Sequence, residues 1–178
     1  MKFTIKKGSH RCKPILFGLW WDKRIIRKRV IFDFSSKYDL GNIDQFDHNK
    51  LFGIGYLWNK NDSARFGWRY DLDKSKIIIS AYCHVGQVVI SSGLPIHKES
   101  TVVMEDICSI YANRQYLMTI TIADGQYDFS VVNWENELPV GWKSIKFYHK
   151  KNIGFPMNFY FGGNRTAPRE ITCEIKKF

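Results

Sequence analysis

The feature that most constrains the fold of this chain is the recurrence of short β-type runs along almost its whole length. About a dozen segments of β-branched and aromatic residues are separated by Gly, Asn, Asp and Pro, without a regular alternation of strand and helix. Aromatic residues are 16% of the 178 residues, and such side chains favour a pleated, half-buried surface. We therefore expect an all-β protein: a two-layer antiparallel jelly-roll sandwich in which residues 1–178 form one domain.

The strands can be predicted individually from these runs. The runs are KFTIK, PILFGLWW, RIIRKRVIFDFS, LFGIGYLW, SARFGWRY, KIIISAYCHV, QVVISS, TVVMEDICSIY, QYLMTITI, YDFSVVNW, SIKFYHK, MNFYF and EITCEIKKF. A hairpin turn is predicted at residues 123–126, because the sequence ADGQ lies between two runs and Asp-Gly suits a type I′ turn.

Two neighbouring runs, residues 63–70 and 76–85, carry the most informative alternation. Side chains of a strand point to opposite faces in turn, so the apolar set of each run should enter the core together. The opposite face would then present Arg65, Arg69, Tyr82 and His84, with Gly67 leaving a notch between the two arginines.

This polar and aromatic face has two interpretations. Guanidinium and imidazole groups can donate to the hydroxyl or carboxylate oxygens of a sugar, while an aromatic ring suits the apolar face of the sugar ring. The alternative is a solvated sheet face on which arginine stacks on tyrosine. The first interpretation predicts a carbohydrate-binding site.

The charge of the chain predicts an acidic partner. The formal net charge is +10, which attracts nucleic acid, anionic glycans or acidic protein surfaces. No motif that reads nucleic acid supports the first of these. The basic stretch at residues 22–30, DKRIIRKRV, interleaves its arginines with aliphatic residues, which is typical of a solvated face that protects a sheet edge.

Cysteine usage and the N-terminus indicate the compartment. Cys12, Cys83, Cys108 and Cys173 form no C-x-x-C pair, so we expect free thiols that pack as small hydrophobes, and neither a metal nor a cofactor. No apolar signal-peptide core follows the basic start, and no run reaches the length of a membrane span. The sequence predicts a soluble protein made in the cytoplasm, with association with a virion or release by lysis as open alternatives.

The C-terminal sequence FYFGGNRTAPREITCEI, residues 159–175, resembles the closing hairpin of concanavalin-like, lectin-like jelly-roll proteins of bacteria and phages. The middle of the chain, residues 51–85, is similar to the middle of the same largely uncharacterised group. The resemblance implies a jelly-roll fold, a turn with positive φ at Gly162 and Gly163, and a turn or ligand contact at Asn164. It bears on the fold more than on the activity, because jelly rolls serve as lectins, lyases and viral structural proteins.

The leading functional hypothesis is a non-catalytic, lectin-like module that binds a glycan, and an anionic one in view of the charge. Its predicted ligand-binding residues are Arg65, Arg69, Tyr82, His84 and Asn164. The alternative is a virion decoration, fibre or tail component assembled through aromatics such as Trp20, Trp21 and Trp58. A third class is a polysaccharide lyase, with Tyr82 or His84 as base and an arginine neutralising the uronate carboxylate.

Overall fold

The computed structural model describes residues 1–57, 62–91, 94–147 and 153–178, with the side chains of residues 87–91 and 94–100 outside that description. Trp58 also lies outside it. The strands are β1 Lys2–Ile5, β2 Cys12–Lys13, β3 Ile25–Phe32, β4 Asn49–Tyr56, β5 Ser63–Asp71, β6 Lys76–Ser91, β7 Leu94–Ile110, β8 Gln115–Ala123, β9 Gln126–Asn133, β10 Pro139–Lys146, β11 Gly154–Met157 and β12 Ile171–Lys177. Two short 3₁₀ turns, Phe34–Ser36 and Ile43–Phe46, lie between β3 and β4.

The strands form two antiparallel sheets that pack as the two layers of a sandwich. The seven-stranded sheet has the order β10-β9-β8-β3-β12-β1-β2, and the five-stranded sheet has the order β11-β4-β5-β6-β7. The predicted all-β, two-layer antiparallel architecture is therefore confirmed. The finer description as a jelly roll stays a prediction from the resemblance.

The alternation predicted for β5 and β6 is confirmed by burial and register. β5 and β6 pair directly, with Arg65 opposite Tyr82 and Ser63 opposite His84. The apolar set is almost completely buried: Ala64, Phe66, Trp68, Tyr70, Ile77, Ile79, Ala81 and Cys83. This face therefore packs in the core between the sheets, and the polar face of the five-stranded sheet points outward.

The predicted hairpin turn at residues 123–126 is present between β8 and β9. Asp124 and Gly125 have φ values of 47° and 74°. Positive φ at both central residues is what a type I′ turn requires. The local sequence was sufficient here because the turn geometry depends on these residues alone.

The run PILFGLWW was predicted as a strand, and this prediction is wrong. Residues 14–19 belong to no sheet, although Trp20 bridges to Gly154 at the edge of β11. The backbone of Leu16 forms its hydrogen bonds with a side chain instead of a neighbouring strand. Its N–H donates to Asn158 Oδ1 at 2.7 Å, and its carbonyl accepts from Asn158 Nδ2 at 3.1 Å.

The C-terminal segment is not the hairpin that the resemblance implied. β11 pairs with β4 in one sheet, while β12 pairs with β1 and β3 in the other, so residues 158–170 cross between the layers. The predicted strand MNFYF is likewise wrong beyond Met157, because Phe159 and Phe161 fill the core from a crossing segment while Tyr160 forms only isolated bridges. This segment is held by Asn49, whose Oδ1 accepts from Gly162 N at 2.6 Å.

The turn with positive φ that was predicted at Gly162 and Gly163 is only partly confirmed. Gly163 has a φ of 72°, and an added Cβ would collide with the Asp47 carboxylate. Gly162 is not among the residues with positive φ; it is needed because an added Cβ would collide with the carbonyl of His48. Close packing, rather than a left-handed backbone, therefore excludes a side chain at residue 162.

The basic strand β3 is not an edge strand. It lies between β8 and β12 inside the seven-stranded sheet, so its charges cannot serve to protect an edge. The basic residues of this stretch therefore need another explanation.

The four cysteines are free, as expected from their apolar neighbours. Three are buried and Cys108 is partly buried. Burial raises the pKa of Cys83 and Cys108 to about 12, so both are protonated thiols at neutral pH. Among the helices of the described segments, none is long and apolar enough to traverse a lipid bilayer.

Candidate functional site

An open groove of about 650 Å³ lies on the outward face of the five-stranded sheet. Its floor comes from β4, β5 and β6, and its wall comes from the segment after β2 and from residues 157–160. The groove is lined by Arg11, Cys12, Ile15, Phe17, Lys50, Arg65, Tyr82, His84, Met157, Asn158, Phe159 and Tyr160. Its volume falls within the range of usual small-ligand sites.

The floor is built around the ring of Tyr82. The Arg65 guanidinium carbon lies 5.0 Å from the Tyr82 ring centroid, and the Lys50 ammonium lies 4.8 Å from the same centroid. The His84 ring is 5.7 Å from the Tyr82 ring. One aromatic ring therefore gathers two cations and an imidazole into one patch, which we call the Tyr82 cluster (Lys50, Arg65, Tyr82 and His84).

The wall is positioned by contacts between segments far apart in sequence. Arg11 bridges to Tyr160, and the His10 ring stacks on the Tyr160 ring at 5.4 Å. The paired hydrogen bonds between Leu16 and Asn158 hold the two halves of the wall together. Phe17 stands at the rim with 87% of its surface exposed.

The groove is positively charged, and the carboxylates that act on it, Asp47 on Lys50 and Asp62 on His84, lie outside its lining. Arg11, Lys50 and Arg65 line it, and its described lining includes no carboxylate. Burial lowers the pKa of Lys50, and repulsion from Arg65 lowers it further. Burial also lowers the pKa of His84, with added repulsion from Arg65 and Lys50. The site thus holds several partly desolvated cationic or basic groups that an anion would stabilise.

Arg65 has an unused donor that is buried. One terminal nitrogen of its guanidinium donates to Ser63 Oγ at 3.2 Å. The Nε atom is buried and has no hydrogen-bond partner within the described parts of the chain. A buried donor without a partner is destabilising, so an acceptor that reached this atom would relieve that cost.

Arg69 was predicted for the same site, but the structure places it outside the groove lining. Its terminal nitrogen forms an ion pair with Asp106 Oδ2 at 2.6 Å, and its Nε donates to His48 Nε2 at 3.3 Å. The prediction that Arg69 faces outward is confirmed. Its charge, however, is already neutralised by Asp106. Asp106 belongs to β7, and nothing in the alternation of β5 could reveal this partner.

Two further expectations for this face are corrected by the structure. The notch predicted at Gly67 is filled, because an added Cβ would collide with the Ser80 hydroxyl. Asn164, predicted at the rim, lies in an exposed part of the crossing segment and is not among the residues that line the groove. The structure therefore brings together three of the five predicted residues: Arg65, Tyr82 and His84.

Sequence reasoning missed Lys50, Arg11, Phe17 and Tyr160. Lys50 directly precedes the predicted LFGIGYLW run, so extending that strand by one residue would have found it. A register shift between Lys50 and Phe52 in the pairing with β5 hides its alignment. Arg11 and Tyr160 are brought together only by tertiary structure.

The neutral state of His48 predicts a pH dependence of stability. Burial lowers the pKa of His48, and Arg69 lowers it further. Because Arg69 donates to Nε2, the proton of the neutral ring lies on Nδ1, which donates to Ser80 Oγ at 2.7 Å. An unfolded histidine has a pKa of about 6.5, so below that pH the unfolded chain binds more protons than the folded one.

We therefore expect the free energy of unfolding to fall as the pH drops below about 6.5, by at most about 1.4 kcal/mol per pH unit for one proton. Thermal unfolding of wild type and His48→Gln across this pH range would measure the slope. The variant should show a shallower decline. His84→Gln is the matched comparison. Burial lowers the pKa of His84 as well, so this variant should also show a shallower decline. An unchanged slope in His48→Gln would contradict the assignment.

Within the described residues, no group of three or more His, Cys, Asp or Glu side chains is arranged to hold a metal ion. No protein-family model matches this chain, and no curated protein matches it.

The fold is similar to those of several solved structures, including the following two. One is a functionally unknown protein from Saccharomyces cerevisiae, 11% identical with a TM-score of 0.53, where the match covers 99% of this chain and 88% of that one. The other is the alginate lyase from Klebsiella pneumoniae, 12% identical with a TM-score of 0.52, where the match covers 86% of this chain. This chain spans 59% of that lyase chain. At these identities the likeness shows a shared β-sandwich fold.

Proposed function

We propose that the groove binds an acidic glycan and that the chain acts as a non-catalytic carbohydrate-binding module. The observation that carries this proposal is the positive charge of a groove whose described lining holds no carboxylate. Three cationic side chains and His84 line it without a carboxylate in the described lining, and the buried Nε of Arg65 has no partner there.

A sugar carboxylate fits this arrangement in charge and in geometry. Its oxygens would accept from Arg65 Nε and from the Lys50 ammonium, and hydrogen bonds between ionised partners are about twice as strong as neutral ones. The exposed ring of Phe17 would pack against the apolar face of a sugar ring at the rim. A neutral glycan would leave the cations without a counter-charge.

The fold shared with an alginate lyase supports the choice of ligand class. Alginate is a polymer of uronate sugars, and each of its units carries one carboxylate. A sandwich that presents basic and aromatic groups on an outer sheet face offers several positions along which such a polymer could lie.

Calorimetric titration with alginate oligosaccharides tests the proposal. We expect saturable binding that weakens as salt is added, since exposed charge–charge attraction is screened. Neutral gluco-oligosaccharides of equal length are the control and should bind at least tenfold more weakly. Equal affinity for both sets, or the absence of binding to acidic oligosaccharides, would refute the proposal.

A lyase activity at the same groove is the second candidate, and it is favoured by the position of Tyr82 and His84 beside Arg65. In such a reaction, Tyr82 or His84 would take the proton from the sugar C5 while Arg65 neutralises the adjacent carboxylate. The glycosidic oxygen would leave and a C4–C5 double bond would form. Ultraviolet absorbance of the same titration mixtures over hours reports the unsaturated product, and its appearance would replace the binding-module proposal.

A role as a subunit of a larger assembly is favoured by exposed apolar side chains near the groove. Phe17, Leu19 and Trp21 are 87%, 66% and 81% exposed, whereas Trp20 packs partly against the core. Light scattering on the titration samples separates the two roles. A binding module stays monomeric at high concentration, while an assembly component self-associates.

A further inference from the structure

A second basic cavity lies away from the groove, where β3 begins and β12 ends, beside the segment that precedes β3. Its volume is about 360 Å³. It is lined by Trp20, Lys23, Ile25, Ile26, Arg27, Lys28, Lys177 and Phe178. It shares no lining residue with the groove.

Strand register places two lysines side by side in this cavity. Lys28 of β3 pairs directly with Lys177 of β12. Both residues have the same parity as the buried pair Val30 and Ile175, so they project from the core side of the sheet rather than its outer face. Like charges directly opposite each other on adjacent strands are destabilising.

No carboxylate compensates this pair within the described lining of the cavity. The acidic residues nearest in sequence, Asp22 and Glu174, are engaged by Arg24 and Lys176. Burial lowers the pKa of Lys28, and the charges of Lys177 and Lys23 lower it further. The Lys23 ammonium lies 5.9 Å from the Trp20 ring centroid and is the third ammonium group of the cavity, which the Arg27 guanidinium also lines.

We propose that this cavity is a second binding site, for a phosphate or sulfate group held between Lys28, Lys177 and Lys23. A tetrahedral oxyanion carries enough charge to offset the repulsion and enough oxygens to accept from several ammonium groups at once. This site also gives a role to Lys28, a basic residue on the core side of a central strand where it protects no edge. The proposal is independent of glycan binding at the groove.

Thermal unfolding in sodium phosphate, sodium sulfate and sodium chloride at matched ionic strength tests the site. We expect phosphate or sulfate to raise the Tm with the logarithm of its concentration once that exceeds the Kd, by about 3 to 6 °C at ten times the Kd. Chloride should give no such logarithmic rise. The apparent Kd values fitted from the phosphate and sulfate curves identify the preferred group. Equal behaviour of all three salts would overturn the proposal.

Variants separate binding from the general stabilisation that excluded salts produce, which grows roughly in proportion to salt concentration. Lys28→Met should abolish the logarithmic rise, and its Tm without added oxyanion should equal or exceed that of wild type because repulsion is relieved. Lys177→Met should abolish the logarithmic rise in the same way. Lys7→Met is the matched control: it removes the same charge from an exposed residue outside the cavity and should retain the logarithmic rise. A logarithmic rise that survives in both Lys28→Met and Lys177→Met would refute the site.

Discussion

Replacing Arg65 by alanine should weaken binding of an acidic oligosaccharide by about ten- to a hundredfold, because hydrogen bonds to charged groups contribute about 1.5–3 kcal/mol. Arg65 supplies the buried Nε donor of the groove and part of its positive charge. No carboxylate forms an ion pair with Arg65 among the described residues, so the substitution leaves no buried charge unpaired. The variant should therefore fold as wild type does.

Arg69→Ala is the matched control for this prediction. Arg69 lies four residues further along β5 and faces the same side of the sheet, but it pairs with Asp106 and His48 instead of lining the groove. The affinity of the Arg69→Ala variant for the acidic oligosaccharide should stay within about threefold of the wild-type affinity. Calorimetry at one ionic strength measures both variants, and circular dichroism checks that they are folded. Equal weakening by the two substitutions would show that net charge alone, and not the groove, attracts the ligand.

The largest effect on stability is expected from Trp68→Ala, which should lower the free energy of unfolding by about 3–5 kcal/mol. Trp68 is completely buried and contacts aromatic side chains from the opposite sheet, from the segment after β3 and from the crossing segment. Its ring stacks on Phe159 at 5.7 Å and packs against Phe32 at 5.2 Å and Tyr38 at 5.8 Å. Alanine would leave a cavity that these rings can fill only in part.

Urea unfolding followed by circular dichroism measures this loss. Trp68→Phe is the control: it keeps an aromatic ring and removes an indole N–H that is buried without a hydrogen-bond partner in the described structure. It should therefore retain most of the stability. Because Phe159 both stacks on Trp68 and lines the groove, Trp68→Ala should also weaken ligand binding. A loss below about 1 kcal/mol would mean that the aromatic cluster is not the centre of the core.

Strand alternation was predictable because it depends on local geometry. Side chains of an extended chain point to opposite sides with a period of two, so residues 63–70 and 76–85 could be sorted into faces by inspection. The same holds for Asp124 and Gly125, whose turn requires only positive φ. Runs that depend on a distant partner were predicted less well: residues 14–21 look like a strand, yet the backbone of Leu16 bonds to the side chain of Asn158.

The amino-acid sequence by itself determined the all-β architecture and the outward orientation of Arg65, Arg69, Tyr82 and His84, since both follow from the pattern of neighbouring residues. Only the tertiary structure decided which of these residues form a groove. Asp106, 37 residues beyond Arg69 in the chain, neutralises that arginine and leaves Arg65 without a carboxylate partner in the described structure. Electrostatic interactions act through space between the side chains that the fold brings together. The order of residues in the sequence does not give the distances between those side chains.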